Sequence, residues 1–199
     1  MSESLHAAHA LDAFMANAPS EANRACEVRV VVQRQCHALN IRVFDGALAA
    51  SGTELGIANW PETNQWIEGD GVVYWLGPDE WLLVGGETAK ENARLADDER
   101  LPTASVNDVT GAWVQLDLLG PGVRPLLEKA CTLDLTPEHL GAGQCAQTLL
   151  AKAPVVMATH TDAERVTLLV RRSFTEYVAN WMLASGPAGA TGFCFDDAD

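Results

Sequence analysis

The stretch GVVYWLGPDEWLLVGG, residues 71–86, constrains the fold more than any other part of the sequence. Two runs of aromatic and aliphatic residues flank the segment from Gly77 to Glu80. Pro78 presets φ for the first corner of a type I turn, and Asp79 is a standard residue at the second corner. The segment therefore predicts an antiparallel β-hairpin in which Asp79 has a structural role.

Strand and helix patterns alternate along the rest of the chain. Runs of β-branched and aliphatic residues predict strands at residues 27–34, 37–44, 104–110, 112–120, 144–159 and 164–172. Helices are expected over residues 46–56, 88–100, 121–131 and from Ser173 onward. Ser173 and Glu176 have the spacing of a capping box for the last helix, and apolar residues then recur at the 3.6-residue period.

The order of these elements approximates βαββαβ twice, with much of each sheet paired locally through hairpins. It predicts an α+β fold of two ferredoxin-like βαββαβ-type lobes with largely antiparallel sheets. Residues 1–25 are expected to form a partly mobile N-terminal arm, residues 26–185 the α+β domain, and residues 186–199 an acidic, partly mobile C-terminal tail.

Charge and composition exclude several classes of partner. The 13 basic and 27 acidic residues give a net charge of −14, which repels nucleic acid and anionic membrane surfaces. No segment reaches the roughly 18 apolar residues of a membrane span. The N-terminal sequence has no Lys or Arg before Arg24, which is untypical of a signal peptide. We therefore expect a cytoplasmic protein whose five unclustered cysteines are reduced thiols, in the core or on the surface.

Sequence motifs for catalysis or cofactor binding are absent. There is no GxSxG nucleophile elbow, P-loop or GxGxxG, and GAGQ at residues 141–144 precedes a predicted strand and not a helix. His6 and His9 lie three residues apart without a third ligand nearby. Cys36 and His37 are adjacent, so a strand would point them to opposite faces. No catalytic, cofactor-binding or metal-binding residue is predicted.

Carboxylates allow two interpretations. Asp79 with Glu80, and Asp108 with Asp117 or Asp134, are candidates for acid–base pairs in which one pKa is raised. Each also has a structural interpretation as a turn or capping residue.

The last predicted helix carries more apolar surface than one buried stripe requires. Its apolar residues are Phe174, Tyr177, Val178, Trp181, Met182 and Leu183. Because Trp, Tyr and Arg are enriched among interface hot spots, Arg172, Tyr177 and Trp181 are candidate subunit-interface residues. The pair Arg171 and Arg172 also has a plainer interpretation as solvated charges at a strand end.

Several consecutive motifs resemble the gamma subunit of heterotetrameric sarcosine oxidase. They are LNIRV, VVYWLGPDEWLLV, LLGPGVRPLLEKACTLDLTPEHLGAGQCAQTLL and LLVRRSFTEYVANWML. Their order and spacing both agree with the family over roughly Leu39 to Ala184. The strand–GP–helix unit from Leu116 to Asp134 is also similar, more distantly, to tetrahydrofolate-binding aminomethyltransferases, so the resemblance implies an aminomethyltransferase-like fold.

The resemblance implies a non-catalytic subunit that stabilises an assembly with alpha, beta and delta subunits. Such an enzyme oxidises sarcosine to glycine, passing the methyl carbon to tetrahydrofolate and electrons through FAD and FMN to oxygen, which yields hydrogen peroxide. The family's flavins, NAD, tetrahydrofolate and zinc are carried by its other subunits. The alternative hypothesis is a free-standing folate-binding, aminomethyltransferase-like protein. Such enzymes are usually larger, with additional domains around a central cavity.

Overall fold

The computed structural model describes residues 10–16, 26–33, 37–44, 46–92, 103–186 and 192–198. The strands in this part of the chain are β1 (Val28–Gln33), β2 (Ala38–Val43), β3 (Trp66–Glu68), β4 (Val72–Gly77), β5 (Glu80–Val84), β6 (Ala104–Asp108), β7 (Trp113–Leu119), β8 (Cys145–Leu150), β9 (Ala153–Thr159), β10 (Arg165–Arg171) and β11 (Phe193–Asp197). The α-helices are α1 (Asp12–Met15), α2 (Leu48–Leu55), α3 (Gly86–Asn92), α4 (Val123–Glu128) and α5 (Thr175–Ser185).

These strands form two sheets. The first has the order β11-β1-β7-β10-β9-β8, in which only the β1–β11 pair of the described strands is parallel. The second has the order β3-β4-β5-β2-β6, with every pair antiparallel. The predicted α+β fold with ferredoxin-like lobes and largely antiparallel sheets is confirmed.

The layers follow from the alternation of side chains along each strand. On β7, Leu116 and Leu118 face a core shared with α4 and α5. A second core lies between the second sheet and helices α2 and α3. The third core lies between the sheets, where Tyr74 and Leu82 pack with Val156 and Leu169. The molecule is therefore a helix–sheet–sheet–helix sandwich.

The hairpin predicted around residues 77–80 is present as β4 and β5. Pro78 and Asp79 form its turn, so the structural role of Asp79 is confirmed. The Asp79 carbonyl oxygen accepts a hydrogen bond of 3.0 Å from the Val43 amide. This bond ties the turn to the neighbouring strand β2.

The two ends of the chain differ from the sequence-based expectations. β1 pairs with β7 and β11 and not with β2, so the first sheet takes strands from both ends of the chain. Phe193–Asp197, expected in a mobile tail, form β11, and Phe195 is completely buried. In the N-terminal segment, Leu11 is also completely buried in the same core. Apolar contacts with this core hold both segments in place.

The prediction that all five cysteines are reduced is wrong in the structure, where Cys26 and Cys194 form a disulfide. Their Cα atoms lie 6.2 Å apart because Cys194 on β11 runs beside the start of β1. The 168-residue separation hides this neighbourhood in the sequence. Cys131 and Cys145 are free and buried, as expected of core thiols.

The start of the last helix also differs from prediction. Arg172–Phe174 form a 3-10 turn, and α5 begins at Thr175 without a side-chain hydrogen bond at its N-cap. The capping box of Ser173 and Glu176 is therefore absent. The Thr175 hydroxyl instead donates to the Arg171 carbonyl oxygen at 3.3 Å, which links the end of β10 to the helix.

Candidate functional site

Exposed apolar side chains concentrate at α5. The large apolar residues that are exposed among the described residues are Phe44, Leu133, Leu149, Phe174, Tyr177 and Leu183. Three of these six lie within residues 174–183. Clustered exposed apolar groups mark interaction surfaces more often than scattered ones do. This part of the molecule is therefore the candidate interaction surface.

The two sides of α5 have different environments. Val178 and Met182 are completely or almost completely buried against the first sheet. Tyr177 and Trp181 are four residues apart, which places them along a neighbouring stripe of the helix, and Phe174 precedes them at the end of the 3-10 turn. Phe174 and Tyr177 are 37% and 39% exposed. The predicted surplus of apolar surface on this helix is present.

The three candidate interface residues occupy related but unequal positions. Tyr177 is exposed, whereas Trp181 is half-buried and packs partly against the core beneath α5. Arg172 is exposed and lies in the 3-10 turn that precedes the helix. Arg172 and Phe174 line an open groove of about 650 Å³ together with Ala10, Ala112, Arg171, Ser173 and Glu176.

Arg171 is a feature of this groove that the sequence prediction passed over in favour of Arg172. Its guanidinium carbon lies 3.9 Å from the centroid of the Trp113 ring, in cation–π geometry. Arg171 and Trp113 are register partners on β10 and β7. The signal available in the sequence was an arginine and a tryptophan at the ends of two predicted strands, but their pairing required the sheet order.

The carboxylates proposed as acid–base pairs have separate structural roles. Asp108 accepts a hydrogen bond from the Thr110 amide, and Asp134 accepts one from the Thr136 amide, both at 2.9 Å. Hydrogen bonds from the Thr110 side chain and backbone lower the pKa of Asp108, and those from the Thr136 backbone and side chain lower the pKa of Asp134. Both carboxylates are thus ionised capping groups at neutral pH. The structural interpretation is confirmed.

Asp117 lies elsewhere, in a buried polar network between the sheets. Its carboxylate accepts a 2.6 Å hydrogen bond from the Thr167 hydroxyl and a 3.0 Å hydrogen bond from the side-chain Nε2 of Gln33. Because the Thr167 proton is used toward Asp117, His160 Nε2 donates to the Thr167 oxygen at 2.9 Å. Burial lowers the pKa of His160, with a smaller lowering from Arg165. The network therefore contains a neutral histidine whose Nε2–H group already donates to Thr167.

This network was not predicted, although one signal was available. Asp117 interrupts an apolar run in the middle of a predicted strand, where a carboxylate requires partners. Those partners come from β1 and β10, which the sequence does not place beside β7.

Metal-binding and nucleophilic chemistry find no support in the described part of the chain. No group of three or more His, Cys, Asp or Glu side chains there is arranged to hold a metal ion. Of the histidines and cysteine considered from sequence, His6, His9 and Cys36 lie outside the described residues. Burial raises the pKa of the Cys145 thiol to about 12, which keeps it protonated at neutral pH.

None of the helices in the described residues has the length and apolar character needed to cross a bilayer.

Comparison with known proteins gives consistent sequence matches. The family model described as Sarcosine oxidase, gamma subunit family, matches residues 42–187. Sarcosine oxidase subunit gamma of Corynebacterium sp. (strain P-1) is 34% identical over 117 residues, which are 59% of this chain and 57% of that protein. The protein of the same name from Arthrobacter sp is 32% identical over 112 residues, 56% of this chain and 55% of that protein. The aligned region thus spans about half the length of these curated relatives.

Two solved structures share the fold. A chain in the heterotetrameric sarcosine oxidase from Corynebacterium sp. U-96, in complex with pyrrole 2-carboxylate, matches with a TM-score of 0.69 and 27% identity. The match covers 88% of this chain and 90% of that chain. The glycine cleavage system aminomethyltransferase T from Bartonella henselae matches with a TM-score of 0.57 and 13% identity, over 86% of this chain and 48% of that chain. The aminomethyltransferase-like fold is confirmed, and the family model, which covers most of the chain, shows that the chain belongs to the sarcosine oxidase gamma subunit family.

Proposed function

We propose that this chain is a non-catalytic, assembly-stabilising gamma subunit of a heterotetrameric sarcosine oxidase. The observation that carries the proposal is the structural match over 88% of the chain, at a TM-score of 0.69, to a chain of such an enzyme. The enzyme would oxidatively demethylate sarcosine to glycine, with methylene-tetrahydrofolate and hydrogen peroxide as products. Its partners would be the alpha, beta and delta subunits.

The chemistry of the described residues supports a structural role. Among the carboxylates considered for acid–base work, Asp108 and Asp134 cap turns and Asp117 belongs to the buried network. Asp79 lies in the hairpin turn, and Glu80 pairs with Arg42. A surface with a net charge of −14 suits protein partners better than nucleic acid or an anionic membrane. The cofactors FAD, FMN, NAD, tetrahydrofolate and zinc would accordingly be held by the other subunits.

The proposed contact with those subunits includes Arg172, Tyr177 and Trp181. Aromatic and arginine side chains dominate interface hot spots because they combine large apolar area with directed polar groups. The exposed ring of Tyr177 and the accessible part of Trp181 lie on one stripe of α5. Arg172 extends this surface toward the groove at the start of the helix.

The isolated chain tests the non-catalytic part of the proposal. Purified alone, it should show no flavin absorbance, no bound zinc and no sarcosine-dependent oxygen uptake. Calorimetry should detect no binding of tetrahydrofolate, whereas stoichiometric binding would favour the folate-binding alternative. Flavin that copurifies stoichiometrically with the chain alone would contradict the proposal. Circular dichroism must show a folded α+β protein for the negative results to count.

We further propose that the complex is cytoplasmic, and the Cys26–Cys194 disulfide provides the test. Disulfides are rare in the cytosol, where thiol reductants are abundant. Because a reducing cytosol would open the disulfide that the structure shows, alkylation with a mass-tagged maleimide immediately after lysis should label both Cys26 and Cys194. Complete protection of both residues, reversed by a reductant, would place the chain in an oxidising compartment.

A further inference from the structure

We propose that the groove between Ala112 and Phe174 is the docking site for a surface segment of another subunit. That segment carries an Asp or Glu side chain that pairs with Arg171, next to an apolar residue that packs on Phe174. The identity of the partner as a subunit of the complex rests on the proposed function.

Arg171 is held ready for such a contact. Its guanidinium stacks over Trp113 at 3.9 Å, and Trp113 packs in turn against the core between the sheets. A stacked guanidinium keeps its N–H groups at the edge of the plane, where they match the two oxygens of a carboxylate. Because the stack already limits the motion of the side chain, less entropy is lost when a carboxylate binds.

The charge of Arg171 also lacks a match within the described residues. Arg29 pairs with Asp196 at 2.6 Å and Arg42 with Glu80 at 2.9 Å, whereas no described carboxylate pairs with Arg171. In a chain of net charge −14, intramolecular carboxylates are plentiful. An arginine that is oriented by an aromatic ring and pairs with none of the described carboxylates is complementary to a carboxylate from another subunit.

The residues that line the groove indicate which kind of side chain lies beside the partner's carboxylate. Phe174 presents an apolar side chain that is 37% exposed, and Ala112 is a second apolar residue of the lining. Glu176 also lines the groove. Its negative charge opposes a phosphate or a run of acidic residues, because like charges at short range are destabilising. A single acidic side chain can pair with Arg171 while the apolar side chain beside it packs on Phe174 and Ala112. Such a segment places only one negative charge near Glu176.

The experiment is co-expression of the tagged chain with the other three subunits, followed by affinity recovery at two salt concentrations. Arg171→Glu should weaken association by at least about tenfold, because it places a carboxylate against the partner's carboxylate. Arg171→Lys should give an intermediate loss, since it keeps the charge without the planar fork. Arg124→Glu is the matched control, because Arg124 is half-exposed on α4, outside the groove, and also lacks a carboxylate partner among the described residues.

A second measurement keeps the test independent of folding defects. A photo-crosslinking benzoylphenylalanine at position 174, which retains an aromatic ring, should crosslink a partner segment that contains Asp or Glu. Reversal of that acidic residue to Arg should restore the association of Arg171→Glu.

The outcomes separate the two proposals. Equal recovery with wild type, Arg171→Glu and Arg124→Glu would overturn the docking site and leave the subunit function intact. Failure of the wild-type chain to recover any subunit would overturn the subunit function. A crosslink to a segment without an acidic residue, or no crosslink in an assembled complex, would overturn the pairing of Arg171 even if Arg171→Glu does not fold.

Discussion

Two corners of the molecule have similar residue types in different environments. At the hairpin corner, defined as residues 75–82, Glu80 accepts hydrogen bonds from Asn40 at 2.7 Å and Arg42 at 2.9 Å, and Trp81 is 4% exposed. At the α5 junction, defined as residues 171–177, Arg171 stacks on Trp113 without a described carboxylate partner, and the rings of the junction are exposed.

The difference separates residues that complete the fold from residues that remain available. At the hairpin corner the charges and aromatic rings find partners inside the chain, so changes there should act on stability. At the α5 junction the same kinds of group are oriented but incompletely covered, so changes there should act on association. Predictions for the two corners therefore have different readouts.

The largest expected effect is on folding, from Trp81→Ala. The Trp81 ring lies 4.9 Å from the Trp60 ring in the core of the second sheet, and truncation of such a side chain costs about 3–5 kcal/mol. Urea unfolding of the isolated chain measures the loss.

Trp81→Phe is the matched control for that truncation. It keeps an aromatic ring and removes the indole N–H, which is buried without a hydrogen-bond acceptor among the described residues. Its loss of stability should be much smaller than that of Trp81→Ala. Equal losses for both variants would show that the ring packing at the hairpin corner is not the main source of its stability.

A smaller effect, on association, is expected from Ala substitutions of Arg172, Tyr177 and Trp181. Replacing a hot-spot residue by Ala weakens association by at least about 1 kcal/mol, on the order of fivefold. Tyr177→Ala should leave the unfolding free energy within about 0.5 kcal/mol, because Tyr177 is an exposed residue outside the core. Trp181→Ala should lower stability as well, since its ring packs partly in the core. Recovery of the complex with each folded variant is the measurement.

Undiminished recovery with all three of these variants would remove α5 from the interface. The search would then move to the N-terminal segment, where Leu11 and Phe14 pack on the neighbouring core.

Pro78→Ala tests the hairpin turn alone. The substitution should lower stability by about 0.4–1 kcal/mol, because the unfolded chain gains conformational freedom. Turnover per flavin in the assembled enzyme should be unchanged, since the turn has only structural contacts, joining β4 to β5 and bonding to β2 through the Val43 amide. A large fall in turnover with assembly intact would assign the hairpin corner a direct part in catalysis and break the comparison.

The smallest effect is expected from His160, which lies away from both corners. Burial places its folded-state pKa below the value of about 6.5 that applies to the unfolded chain. Between the two values the unfolded chain binds more protons, so stability should fall as pH decreases through about 6.5. His160→Gln, which retains a donor for Thr167, should lose less stability between pH 7.5 and 5.5. An equal loss of unfolding free energy between pH 7.5 and 5.5 in the two proteins would contradict this prediction.

Local chemistry explains why the hairpin corner was predictable from sequence. Pro78 and Asp79 specify the turn, and the apolar runs on either side specify the strands. The capping role of Asp108 followed similarly from its position in a turn between two strands. The exposed apolar stripe of α5 followed from helical periodicity.

Contacts between distant segments explain what the sequence did not reveal. The disulfide, β11 and the stacking of Arg171 on Trp113 all depend on the order of strands in the first sheet. That order places β1 between β7 and β11, a choice that depends on the packing of the whole core. The periodicity of a single strand fixes which side chains share a face but not which strand lies beside it.

Native mass spectrometry of the complex formed on co-expression tests the subunit function most directly. The tagged chain should recover one assembly that contains flavin-carrying subunits and oxidises sarcosine. Omission of this chain alone should reduce the yield of assembled enzyme, with little change in turnover per flavin of the fraction that still assembles. Recovery of the chain as a free monomer or homodimer, beside a fully assembled and equally stable enzyme that lacks it, would contradict the account.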